Sequence, residues 1–291
     1  MTFPVPSFSR RSLLAALGGL GALSLADVAR AKPAALSVDD IVARNIDARG
    51  GAQAWHAIKS LSMSGLLDAG HTSSEDRKRI EEARAAPGRP HKRLHPEMTA
   101  ADTKADTVIR LPYLIEFRRP RQMRVELKVH DKTAVQVYDG QAGWKVRPYL
   151  GRGEVEPYSP QELRLSASQQ ELDGPLLDYA AKGTRIRLAG IEQVDGKDAY
   201  RLALTLRTGD EMDVWIDARS FLDVRLSTRR PAGPRERTIL TTMRDFRKVG
   251  AVMLPFQLED QVAGSGIVQR IDIQQVSVNP QLADSRFTRP A

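Results

Sequence analysis

The stretch Met123-Arg124-Val125-Glu126-Leu127-Lys128-Val129 decides the fold class, because apolar and charged side chains alternate along it without a break. Successive side chains of a β-strand point to opposite faces of a sheet, so this alternation predicts a strand with one buried and one solvated face. A second run, from Tyr200 to Arg207, shows the same period. Strands of this kind are typical of antiparallel sheets.

The same period recurs along most of the chain from Leu61 onward. Short turn signals separate the runs, among them Asp139-Gly140, Asp195-Gly196 and Val249-Gly250, which suit tight connections between antiparallel neighbours. Counting the runs predicts roughly eleven or twelve strands. A sheet of that size with one apolar face must curl on itself or be covered, so the sequence predicts a mainly β fold built on a single curved antiparallel sheet.

Helical signals precede the first strand. Ser37 and Asp40 have the spacing of a capping box, and the helix that they open is predicted to continue to Gly50-Gly51. A shorter helical piece is predicted from Ala52 to Lys59.

A second helical segment separates two blocks of strands. It opens with Ser159-Pro160-Gln161-Glu162, where Ser159 suits the cap and Pro160 the first helical position, and it is predicted to run in two pieces to Gly183. We expect this segment to cover the concave face of the sheet. A lid over a hollow and a helix that completes a solid core both fit its pattern.

The first 31 residues have the parts of an export signal. Paired arginines, Arg10 and Arg11, precede an uncharged core from Ser12 to Ala26, and small residues stand at Ala29 and Ala31. The core is shorter than the about 20 apolar residues that span a bilayer, and the arginine pair is typical of twin-arginine export. We therefore predict cleavage after Ala31 and a single domain, residues 32–291, that is soluble in the periplasm.

Cysteine content and charge narrow the range of possible functions. The chain has no cysteine, so it can form no disulfide and carry no lipid on an N-terminal cysteine. Its net charge of +8 is spread along the sequence and not gathered in one block. This distribution argues against nucleic acid as a partner.

The stretch from His71 to Asp106 departs from the strand pattern. Dense mixed charge is followed by Pro87-Gly88, Pro90 and Pro96, and no apolar face is present. This composition predicts a charged flexible insertion at about 71–106, at the rim of the sheet. A partner-binding arm and simple disorder both fit it.

Sequence signatures of catalysis are missing. The one close histidine pair, His91 and His95, is bracketed by Pro90 and Pro96, so helical spacing cannot bring the two rings together, and no third ligand is evident. The chain also lacks a nucleophile elbow, a phosphate-binding glycine loop and a dinucleotide fingerprint. We predict a protein that is not an enzyme, with no metal and no cofactor.

Six segments of the chain belong together as one pattern, namely Ala43–Gly51, Arg119–Glu126, Tyr138–Trp144, Leu172–Tyr179, Asp217–Leu222 and Leu254–Phe256. They resemble those of exported bacterial proteins related to outer-membrane lipoprotein-sorting proteins, the LolA/LolB-like family. The resemblance covers most of residues 38–289 outside the insertion. It implies a half-open barrel whose helices cover the concave face, and an apolar hollow that takes acyl chains without a cofactor.

The apolar face and the resemblance together predict a carrier or sensor of a hydrophobic acyl ligand, either lipid or the acyl chains of a lipoprotein. The alternative is an envelope-stress regulatory module that docks on a membrane protein partner, a role that the charged insertion would suit. Strand phase gives the candidate ligand-binding wall. Its residues are Met123, Val125, Val135, Val137, Leu204, Val214 and Phe256.

Overall fold

The strands form one antiparallel sheet of 13 strands, slightly more than the sequence predicts. In this computed structural model the described residues are 36–71, 110–148, 151–169, 172–232, 235–263 and 268–291. The predicted export signal and nearly all of the charged insertion lie outside them. The strand bounds are β1 Ser60–His71, β2 Arg110–Arg118, β3 Gln122–Val129, β4 Lys132–Tyr138, β5 Gly143–Arg147, β6 Arg152–Pro157, β7 Arg185–Val194, β8 Lys197–Thr205, β9 Glu211–Asp217, β10 Asp223–Ala232, β11 Arg235–Val249, β12 Val252–Val262 and β13 Val268–Val278.

The strand order is a meander with one break. It runs β6-β5-β4-β3-β2-β1-β13-β12-β11-β10-β9-β8-β7, so strands next to each other in sequence pair everywhere except at β6 and β7. These two strands lie at opposite edges, and the sheet is not closed into a barrel. The chain must therefore pass from one edge to the other through residues 158–184, which we call the crossover.

The pairing register assigns side chains to the two faces of the sheet. Met63 pairs with Ile115, Ile115 with Val125, and Val125 with Gln136, so these residues share a face. On the other side of β1, Leu67 pairs with Ile271. We call this the inner face, and the charged residues that alternate with it in β3 lie on the outer face.

The described residues include three α-helices and a short 3-10 helix, namely α1 Val38–Ala48, α2 Ala52–Ala57, α3 Pro160–Gln169 and the 3-10 helix Asp284–Phe287. The capping box predicted at the start of α1 is present, because Ser37 and Asp40 each bond the other's backbone N–H. The 3-10 helix lies on the outer face against β3. There Arg286 pairs with Glu116 and Glu126.

A packed cluster closes one end of the inner face, where β1 and β12 begin. Trp55 of α2 and Leu177 of the crossover meet Leu61 and Phe256 of the sheet, and all four are buried. Trp55 also donates its indole N–H to the carbonyl of Arg49, at 3.1 Å. We call this the closed end. Because neighbouring strands are antiparallel, the turn between β8 and β9 lies at the other, open end.

Candidate functional site

A cavity of about 590 Å³ lies on the inner face between the sheet and the crossover. This volume falls in the range of small-molecule sites, roughly 300–1,000 Å³. The described residues that line it come from β1 to β5, from β9 to β13, from the turns after β2 and β8, and from the crossover. They are Leu67, Tyr113, Ile115, Phe117, Arg121, Met123, Val125, Leu127, Ala134, Gln136, Val146, Arg147, Ala167, Gly174, Pro175, Lys182, Thr184, Leu206, Arg207, Thr208, Met212, Leu226, Thr228, Thr241, Leu258, Asp260, Gln269 and Ile271.

Strand alternation builds the apolar wall of this cavity. Ile115 pairs with Val125 and Phe117 with Met123, so two neighbouring strands present a continuous apolar surface. Across the cavity, Leu258 pairs with Ile271 in the same way. Each of these residues alternates with a side chain on the outer face, which explains why the sequence can place an apolar row here.

Several large apolar side chains around the cavity stay partly open to solvent, although Met123 and Met212 are buried. Ile115, Phe117, Val125, Leu258 and Ile271 are half-buried, whereas the cluster at the closed end is buried. A filled core would bury such side chains completely, at a density that leaves few voids. Among the described residues, the inner face is thus a solid core at one end and a hollow at the other.

The crossover covers the hollow. α3 is attached at its first turn, because the Lys145 ammonium contacts both carboxylate oxygens of Glu162, at 2.6 and 2.8 Å. The carboxylate of Glu162 also accepts a hydrogen bond from the backbone N–H of Ser159, which caps the helix. From this anchor on β5, α3 reaches β10, so it crosses the opening of the sheet.

The second part of the crossover differs from the predicted helix. Residues 172–183 form a series of turns, in which Gly174 adopts a φ of 77° and Pro175 follows it. Proline has no N–H to donate and disfavours the helical conformation of the residue before it, so a regular helix cannot form there. Two of its leucines, Leu176 and Leu177, are buried, and Leu177 packs in the cluster at the closed end.

A buried ion cluster fixes this second part in place. The carboxylate of Asp173 lies 3.0 Å from the guanidinium of Arg119 and 3.3 Å from the ammonium of Lys182. Burial alone would raise the pKa of Asp173, but the charges of Lys182 and Arg119 outweigh it and hold the pKa below the ordinary value of 3.8. Arg49 adds a hydrogen bond to the Asp173 carbonyl, at 3.0 Å.

The charged residues around the cavity are mostly cations. Among the described residues, four cations line it, namely Arg121, Arg147, Lys182 and Arg207, and one carboxylate, that of Asp260. Buried polar atoms without a hydrogen-bond partner in the described part of the chain include two on lining residues. These are Nε of Arg147 and Oγ1 of Thr228.

The seven residues predicted for the ligand-binding wall lie in different parts of the structure. Met123 and Val125 line the cavity. Leu204 and Val214 pair with inner-face neighbours and, like Phe256, are buried in packed parts of the inner face.

The two valines of β4 lie on the outer face. Met123 pairs with Tyr138, and Val125 with Gln136, so Tyr138 and Gln136 lie on the inner face. Val135 and Val137 alternate with them and point to the outer face. The sequence predicted the opposite orientation for this strand. Val137 is nevertheless 0% exposed. The alternation of β4 therefore could not reveal which face is inner.

Sequence reasoning missed the contribution of β2. Tyr113, Ile115 and Phe117 line the cavity and alternate with Leu114 and Glu116. The alternation of apolar and polar residues that marks a strand is present in β2, but it is obscured because Leu114, at an outer-face position, is apolar.

The described residues show neither a candidate metal site nor a membrane-spanning helix. They contain no group of three or more His, Cys, Asp or Glu side chains suited to a metal ion. They also contain no helix with the length and apolar character needed to cross a membrane.

Comparison with known proteins identifies solved structures with a similar fold. No protein-family model matches the chain, and no curated protein matches its sequence. A LolA superfamily protein from Nitrosomonas europaea is similar in structure, with a TM-score of 0.51 at 13% identity over 87% of this chain and 98% of that one.

Two further solved structures are similar to the same degree. A DUF1329 family protein from Desulfovibrio piger has a TM-score of 0.52 at 12% identity, covering 86% of this chain and 97% of its own. An outer membrane lipoprotein-sorting protein domain from Vibrio parahaemolyticus has a TM-score of 0.50 at 10% identity, covering 85% and 94%. The resemblance seen in the sequence is confirmed at the level of the fold.

Proposed function

We propose that this LolA-like fold is a periplasmic, non-enzymatic carrier or sensor that binds a hydrophobic acyl ligand in the cavity on its inner face. The observation that carries the proposal is the hollow itself, in which large apolar side chains stay half-buried around about 590 Å³. Filling the hollow with an acyl chain would remove this surface from water, at about 0.8 kcal/mol for each buried methylene.

A sequence prediction and a structural comparison also support the proposal. The export signal predicted for residues 1–31 would bring the chain to the periplasm, where lipids and lipoproteins pass between membranes. One similar structure is a lipoprotein-sorting protein domain. The cargo that we propose is therefore a lipid or the acyl chains of a lipoprotein.

Displacement of a neutral fluorescent reporter by fatty acids tests the proposal, and a matched pair of valines sharpens it. Val125 and Val135 are both half-buried, but Val125 lines the cavity and Val135 lies on the outer face. We expect Val125→Asn to weaken acyl binding about tenfold, because the amide would meet the chain without a hydrogen-bond partner. Val135→Asn should bind as the wild type does.

Circular dichroism of both variants checks that they fold. Equal binding by Val125→Asn and wild type would contradict the assignment of the cavity. Native mass spectrometry of the protein from its own periplasm adds an independent test, since a co-purifying lipid supports a carrier. A co-purifying protein without lipid would favour the regulatory alternative.

A further inference from the structure

We propose that the ligand of this cavity is an anionic amphiphile, an acyl chain ending in a carboxylate or a phosphate, and that Arg207 binds its head group. This inference rests on the proposed function and adds the chemical class of the ligand. The first reason is the charge of the described lining residues, which comprise four cations and one carboxylate, and of these cations Arg147 and Lys182 are already paired with Glu156 and Asp173. The one carboxylate, Asp260, already accepts a hydrogen bond from Thr241.

Arg207 is the cation best placed to meet a head group. It lies in the turn between β8 and β9, at the open end, and its side chain is exposed while also lining the cavity. An acyl chain in the hollow would extend from the apolar wall toward this end, with its polar head near solvent. Arg207 therefore lies where the head group of such a ligand would emerge.

Arg207 has no ion-pair partner among the described residues. The nearest acid in sequence, Asp210, instead accepts a hydrogen bond from Thr208 Oγ1 at 2.7 Å. A guanidinium without a partner presents its donors to a carboxylate or a phosphate in a geometry that suits both. Arg147, by contrast, already pairs with Glu156, at 2.6 Å.

The crossover gives the Arg207 stem a fixed place. A Cβ on Gly183 would lie 3.3 Å from both Cγ and Cδ of Arg207, so the absence of a side chain at Gly183 lets the stem pack against the crossover backbone. Gly183 has a φ of 74°, which glycine adopts without strain. Lys182, the residue before Gly183, lines the same cavity, but its ammonium is paired with Asp173, so Arg207 is the cation left for a ligand at this end.

Four ligands with the same dodecyl chain test the inference: dodecanoate, dodecyl phosphate, dodecanol and dodecylamine. Each is titrated at low salt against the purified protein carrying a neutral fluorescent reporter. We expect both anions to bind about fivefold more tightly than dodecanol, the gain typical of an exposed charge pair, and dodecylamine to bind most weakly. The relative affinity of carboxylate and phosphate distinguishes a free fatty acid from a phospholipid head group.

Arg207→Gln should remove the preference for anions and leave the affinity for dodecanol unchanged, while Arg207→Lys should keep much of the preference. Arg219→Gln is the matched control, because Arg219 is exposed in the turn between β9 and β10, at the closed end, and its loss changes the net charge equally. Equal affinity of the wild type for all four compounds, or a preference that persists in Arg207→Gln, would overturn the inference and leave acyl binding standing. Failure of all four to displace the reporter would instead overturn the proposed function.

Discussion

Asp173 shows how a single side chain fixes the cover of the cavity. Its carboxylate is 4% exposed and meets two cations, one on the turn after β2 and one within the crossover itself. Removing one member of a buried ion cluster leaves the remaining charges without compensation, which costs more than the cluster contributes when intact.

We therefore expect Asp173→Asn to lower the free energy of unfolding by about 3 kcal/mol, measured by urea denaturation. Asp245→Asn is the control, because Asp245 forms an exposed pair with Arg247, at 2.6 Å. Its unfolding midpoint should stay at the wild-type value, since exposed pairs contribute little. Equal midpoints for the two variants would show that the Asp173 cluster does not stabilise the fold.

The same carboxylate should account for part of the loss of stability at acid pH. Its pKa in the folded protein lies below the ordinary value of 3.8, so its contribution to stability is complete above that value and is lost as the pH falls through the folded pKa. Urea denaturation from roughly pH 5 to pH 2 should show a steeper loss of stability in the wild type than in Asp173→Asn. Parallel losses would assign the acid sensitivity to other groups.

Gly65 marks a place where the sheet has no room for a side chain. It follows a register shift in β1, and a Cβ there would lie 2.0 Å from the carbonyl oxygen of Asp272 on β13. We expect Gly65→Ala to destabilise the protein by about 2 kcal/mol through this clash. Gly153→Ala in β6 is the control, since a Cβ there meets nothing within 4 Å. Thermal melts of the two variants should differ by several degrees, and coincident melts would contradict the close approach of β1 to β13.

At the scale of elements, α3 depends on one carboxylate for both its cap and its anchor. Glu162 accepts hydrogen bonds from the Ser159 backbone and from Lys145. Burial opposes the ionised form of Glu162, but these hydrogen bonds prevail and lower its pKa. The helix should thus loosen from β5 when this carboxylate is neutralised.

Hydrogen exchange measures this loosening. In Glu162→Gln we expect the amides of residues 163–169 to exchange faster, while the amides of β1 and β13 keep their protection, because the sheet does not depend on this contact. Glu154→Gln, at an exposed position of β6, should leave α3 unchanged. Unchanged exchange in Glu162→Gln would show that apolar contacts alone hold α3 on the sheet.

At the scale of the whole molecule, export is the prediction on which the proposed function depends. The paired arginines at Arg10 and Arg11 stand ahead of a short apolar core. Replacing both by lysine should retain the uncleaved precursor inside the cell, which fractionation and mass measurement detect. Wild-type export should yield a chain that begins at Lys32. Normal export of the double variant would show that the general secretory route suffices.

The sequence by itself determined the fold class and many of its elements. Alternation identified β3 and its inner row, Met123 and Val125, and the cap at Ser37 located the start of α1, because these signals come from residues close together in the chain. The resemblance to lipoprotein-sorting proteins supplied the half-open barrel, which the structural comparisons confirm as the fold.

Only the tertiary structure decided which surfaces face the cavity and whether the cavity is filled. Val137 and Tyr138 of β4 are both buried, so the period of β4 carries no sign of its inner face, which pairing with β3 alone assigns. The cations around the hollow come from distant parts of the sequence, such as Arg121 and Arg207. Register, curvature and the path of the crossover are set by contacts between residues far apart in the chain, and a local pattern cannot contain them.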